Sequence, residues 1–127
     1  MIAVSVYKQS NFSVSSKKIK DRVINTLVSN GVTSDFEVSV ALLGSNRMVE
    51  IGRAYYGDSK EHPIFTFLEN ETNEHFIEPP DNVNRLGEII ISYPKAIEES
   101  KKENKLVEEV ICDLVEHGSL HLLGIHH

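Results

Sequence analysis

The sequence predicts an α+β protein, with strands and helices in mixed order along 127 residues. Three stretches carry that prediction. From Asp35 to Leu43, Phe36, Val38, Val40 and Leu42 alternate with Glu37, Ser39 and Ala41, the period of a strand with two unlike faces. From Leu86 to Ser92, Ile89, Ile90 and Ile91 stand in a row, which predicts a strand buried on both faces. From Lys105 to Leu123, Val107, Val110, Ile111, Leu114, Val115 and Gly118 recur at helical spacing, with Glu108, Glu109, Asp113 and Glu116 pointing away.

The remaining elements follow in order. Residues 2–7 are rich in β-branched side chains and read as a first strand. Ser15 or Ser16 caps a helix from Lys17 to Asn30 closed by Gly31, with Ile19, Val23, Ile24, Leu27 and Val28 on its apolar side. Its basic start, Lys17, Lys18, Lys20 and Arg22, reads as a solvated face rather than a phosphate patch. Ser45 caps a short helix over Asn46–Tyr56, and Ile64–Leu68 is a short strand with Pro63 at its start or on an edge. Glu69 to Arg85 is polar, acidic and carries Pro79-Pro80, so a surface excursion is expected, with His75 exposed on it. Pro94 suits the first turn of a helix over Lys95–Glu103, and Asn104 caps the last helix.

One domain covering residues 1–127 is expected, because a chain of this length builds one core but not two. No apolar run approaches the roughly 20 residues that cross a bilayer, and the N-terminus lacks the pattern of a signal peptide. The lone Cys112 excludes an internal disulfide and fits a reducing cytoplasm; at mid-helix it reads as packing. A net charge of -6 argues against generic coating of nucleic acid, though not against a local basic groove. Neither a membrane nor DNA is expected as a partner.

The chemistry concentrates at the end. His117 and His121 are one helical turn apart, so their rings share a face. Gly124 ends the helix in a left-handed turn, and the chain folds back to bring a third imidazole to the same point. Three imidazoles with an open fourth position describe a catalytic zinc site; structural zinc usually takes four protein ligands. The bland alternative is a pair of partly buried imidazoles, each satisfied by a hydrogen bond. Asp113, one turn before His117, is either a carboxylate orienting that ring or a solvated acid. The spacing His-x3-His-x2-Gly-x2-His is shared with the metzincin proteases. Those carry a general-base glutamate after the first histidine, where this chain has Gly118.

The segment His117-Gly-Ser-Leu-His-Leu-Leu-Gly-Ile-His-His127 resembles the His-Gly-x-Leu-His-Leu-x-Gly-Tyr-Asp-His signature of the YbeY endoribonucleases, bacterial rRNA-maturation factors. Ile125 and His126 stand where Tyr and Asp are usual. Leu86–Ser92 is similar to the family's Leu-Gly-Asp-Ile-Val-Ile-Ser strand. Tyr55–Phe67 falls on its Tyr-Arg-Gly-x-Asp-x-Pro-Thr-Asp-Val-Leu-Ser-Phe segment. The resemblance spans roughly residues 35–127.

That resemblance implies zinc held by His117, His121 and His127, with one ion per chain; His126 is a competing third ligand that the spacing disfavours. It implies a small mixed sheet packed by helices, the zinc at the end of the last long helix in a metalloprotease-like arrangement. The implied activity is metal-dependent cleavage of single-stranded RNA in 16S rRNA maturation and ribosome quality control, with rRNA and the small ribosomal subunit as partners. Two departures accompany it. Tyr56 replaces the family's arginine, with Arg53 one turn back the nearest substitute, and His62-Pro63 replaces its Thr-Asp pair. Family members usually continue with a further helix after the motif. The alternative is a non-catalytic ribosome-associated RNA-binding module whose metal site is structural or degenerate. A zinc hydrolase of a peptide or small ester ranks last, because Gly118 occupies the general-base position.

Overall fold

The computed structural model describes residues 1–69 and 84–125. The order of elements is β1 (Ile2–Lys8), α1 (Ser16–Ser29), β2 (Phe36–Leu43), α2 (Ser45–Tyr56), β3 (Ile64–Leu68), β4 (Arg85–Ser92), α3 (Tyr93–Glu103) and α4 (Val107–Leu122). The four strands form one mixed sheet in the order β1-β2-β4-β3. β1 and β4 each pair with β2 in parallel, and β3 pairs with β4 antiparallel. Pro63 therefore precedes an edge strand, where a missing N–H costs no ladder bond.

The sheet separates two apolar clusters. Val38, Val40, Leu42, Ile89 and Ile91 face Ile19, Val23 and Leu27 of α1, Ala96 of α3, and Val110, Ile111, Val115 and Leu122 of α4. On the other side Ala41, Leu43, Phe65, Phe67 and Ile90 face Met48 and Ile51 of α2. The three consecutive isoleucines of β4 are buried because the sheet is covered on both faces. The alternation in β2 is real, but its polar side is not wet: Glu37 and Ser39 are buried too. Cys112 is a buried packing residue whose thiol burial pushes above its ordinary value.

A β-bulge accounts for those buried polar groups. Glu37 pairs with Arg85 and Val38 with Gly87, so Leu86 is the extra residue on β4. In a regular strand, residues three apart lie on opposite faces. The extra residue instead turns Arg85 to the same side as Glu88. Arg85, expected at the end of a surface excursion, is a buried start of β4. Its guanidinium donates to Ser39 Oγ at 2.8 Å and to Glu69 Oε2 at 3.0 Å, and lies 3.5 Å from carboxylates of Glu37 and Glu88. His75 and most of the expected excursion lie outside the described residues.

Two expected helix caps are corrected. Ser45 is the first residue of α2, after Gly44. Asn104 closes α3 in a left-handed conformation, its N–H donating to Ser100 O, and α4 begins later, at Val107. Asparagine tolerates that conformation better than most residues, so the same amide suits either end of a helix. Ser15 does cap α1, accepting from Lys18 N–H.

Candidate functional site

Helix α4 is seated on the sheet by two glycines. A Cβ on Gly118 would stand 2.9 Å from Cγ2 of Ile89, so the helix packs closer than any larger residue permits. Gly87 adopts φ +153°, and a Cβ there would meet the carbonyl oxygen of Phe67 at 2.1 Å and a methyl of Leu122 at 2.8 Å. Glycine at 87 thus lets the last turn of α4 rest on the junction of β3 and β4. Position 118, the general-base position of the metzincins, faces the sheet. A glutamate there would be driven into Ile89 rather than toward a substrate.

His117 is exposed and His121 half-buried. Their ring centroids are 4.3 Å apart with the planes inclined at 48°. The expected left-handed stop is present. Gly124 has φ +78°, its N–H donates to His121 O, and Ile125 N–H donates to Leu120 O. These two bonds are the Schellman pattern, which satisfies the last carbonyls and turns the chain back on itself. His126 and His127 lie outside the described residues. Among the described residues, no group of three His, Cys, Asp or Glu side chains is close enough to hold a metal. The donor set visible here is a pair of neighbouring imidazoles, which fits two positions of a zinc ion.

Asp113 does not orient His117. Its two carboxylate oxygens meet Arg22 at 3.2 Å and Lys105 at 3.3 Å. The basic start of α1 is spent in the same way: Lys17 pairs with Asp21, Lys18 with Glu108, and Arg22 with Asp113 and Glu116. Glu108 also accepts from Ser15 N–H, and that bond and the Lys18 ammonium hold its carboxyl below the ordinary range. The pairs to Glu108, Asp113 and Glu116 tie α1 to α4 and neutralise much of that basic start. A groove between α3 and α4 and another between α1 and α4 are each lined by residues other than His117 and His121.

Arg53 does not share the histidines' surface. It lies in the last turn of α2, on the opposite face of the sheet from α4. At the end of α2 and in the stretch after it, Tyr56, Asp58 and His62 form a cluster that sequence reasoning missed. His62 Nε2 is 2.8 Å from Asp58 Oδ2, and Tyr56 stands edge-on to His62 with centroids 5.4 Å apart. The His62 hydrogen bond holds the Asp58 carboxyl below its ordinary value. Gly52 makes room for this cluster, since a Cβ there would lie 3.0 Å from Asp58 Oδ1. The Asp58–His62 spacing of four was the available signal, but it sits in a loop, where that spacing carries no geometric meaning.

A family model described as endoribonuclease YbeY matches residues 5–127. The chain belongs to the YbeY family. An endoribonuclease YbeY from Caldicellulosiruptor saccharolyticus is 35% identical over 117 residues, covering 88% of this chain and 73% of that protein. Another, from Clostridioides difficile, is 30% identical over 113 residues, covering 87% of this chain and 71% of that protein. The solution structure of TM1509 from Thermotoga maritima matches the fold with a TM-score of 0.60 at 21% identity, over 100% of this chain and 75% of that one. The α+β architecture and mixed sheet of this YbeY member agree with the expectation from its sequence. No described helix is long and apolar enough to cross a membrane.

Proposed function

We propose that this YbeY member is a metal-dependent endoribonuclease specific for single strands, acting in 16S rRNA maturation and ribosome quality control. It acts as one domain in the cytoplasm, at the small ribosomal subunit. The observation that carries this reading is the imidazole pair of His117 and His121 beside a helix stop that reverses the chain, within a family whose relatives bear the name endoribonuclease. Zinc is the ion that suits such donors, held by His117, His121 and His127. When bound, it supplies Lewis acidity toward a phosphoryl oxygen.

The chain's own contribution is position. Gly118 against Ile89 and Leu122 against Gly87 fix the roll of α4, so both rings stand on one turn with little freedom to lose on engaging an ion. The exposure of His117 leaves the surface open to an extended strand rather than to a small molecule in a pocket.

The test is elemental mass spectrometry with an RNA-cleavage assay on wild type and His121→Ala. One zinc per chain and cleavage of unpaired RNA, both lost in the variant, is the expected result. Cleavage retained by metal-free protein sinks the reading. RNA binding without cleavage, unchanged by His121→Ala, would favour a non-catalytic module on the ribosome, the reading for which Tyr56 in place of arginine speaks.

A further inference from the structure

Tyr55 and Tyr56 close α2 with 38% and 56% of their surface exposed. Both rings are nevertheless fixed. Tyr55 leans on Phe67 at 4.8 Å between centroids, and Tyr56 stands edge-on to Phe65 at 5.2 Å. Phe65 and Phe67 stack beneath them on β3, with planes 13° apart. His62 completes the group, locked by Asp58 at Nε2, so that Nδ1 remains for a ligand. Arg53 and Lys60 are exposed cations on either side of the tyrosines in the chain. Glu61, the next acid, is turned to the hydroxyl of Ser92 at 2.6 Å.

Rigid aromatic faces open to solvent beside an imidazole, with two exposed cations close by in the chain, suit one class of ligand better than others. Unpaired bases stack on aromatic rings whatever their sequence, and the accompanying sugar and phosphate need polar partners. An apolar protein segment would use the rings but not the flanking cations and imidazole. β3 is an edge strand, with α4 packed on one side of it and the tyrosines on the other. A nucleic-acid strand crossing that edge passes both the tyrosines and α4.

We infer that Tyr55, Tyr56 and His62 form a stacking platform for single-stranded RNA on the far side of β3 from His117 and His121. Tyr56 takes the base, and His62 Nδ1 contacts the adjoining ribose-phosphate. The identity of the ligand rests on the endoribonuclease reading; the platform itself rests on the aromatic geometry.

The experiment is fluorescence anisotropy with a labelled single-stranded RNA octamer and the chain as purified, beside a cleavage assay. Tyr56→Leu removes the π-face at a position more than half exposed. It is expected to weaken binding about tenfold, the scale of one lost base stack. Tyr56→Phe keeps the ring and should bind within about twofold of wild type. Circular dichroism of both variants confirms that the fold is intact. Equal affinity of Tyr56→Leu and wild type overturns the platform, and so does a wild type that does not bind the octamer. If cleavage persists while Tyr56→Leu binds normally, the platform fails and the nuclease reading stands. If Tyr56→Leu binds weakly but wild type never cleaves, the platform stands and the nuclease reading fails.

Discussion

Gly118 of α4 lies against Ile89 of β4 with no room for a methyl group between helix and sheet. Substituting Gly118→Ala gains helix propensity of about 1 kcal/mol but forces overpacking that costs about 1–3 kcal/mol. A net loss of stability is expected, and urea unfolding measures it. Under the zinc reading, affinity for the ion should fall in parallel, because His117 is the preceding residue. A variant as stable as wild type would mean that Ile89 can move aside.

Gly87 is the more demanding position. A side chain there meets a backbone oxygen rather than a flexible tip, at 2.1 Å, and φ +153° is a conformation L-residues rarely adopt. Gly87→Ala should therefore fail to fold at 37 °C or lose most of its stability. Thermal circular dichroism distinguishes this from the smaller effect at position 118.

Gly124 has open space around it, so its substitution isolates the conformational cost. Gly124→Ala should lose about 1–2 kcal/mol, the penalty of a left-handed L-residue. Under the zinc reading, the same change loosens the turn toward residue 127. Zinc titration should then show weaker binding with the fold retained.

Arg85 lies 3.5 Å from carboxylates of both Glu37 and Glu88, and all three side chains are nearly sealed from solvent. Removing one member of such a network leaves buried charge uncompensated and costs about 3–5 kcal/mol. Arg85→Met should show that loss in denaturant unfolding, and Glu37→Gln added to it should recover part. Recovery is absent if the arginine acts only through packing.

Asp58 gives a pH prediction. Its folded carboxyl lies below the ordinary value of 3.8 because of His62. A depressed carboxylate contributes stability that is present above its unfolded value and lost as pH falls through the folded one. The side-chain carbon resonance of Asp58 should titrate below the ordinary range, and His62→Phe should move the midpoint upward. An unmoved midpoint would assign the depression to the Lys60 N–H instead.

Much of this was legible beforehand. The isoleucine run, the alternation in β2 and the stripe of α4 each report burial, and the glycine stop at 124 reports backbone conformation. What escaped were features that depend on a second chain segment. Arg85 looked like part of an acidic loop because its three carboxylate partners come from β2, from the residue just after β3 and from β4, gathered by a bulge that leaves no mark in composition. Asn104 was ambiguous because one residue type suits both helix ends. Tyr56 and His62 were visible only as departures from a pattern, and their contact with each other appears only when α2 folds over β3. Of the residues expected to hold zinc, the structure describes His117 and His121 side by side; His126 and His127 lie outside the described residues.

The Glu69–Arg85 ion pair has a consequence for how this chain can be altered. It clasps the end of β3 to the start of β4. A change at either Glu69 or Arg85 therefore acts on two strand ends at once, and a substitution chosen to tune one of them should be judged by its effect on both.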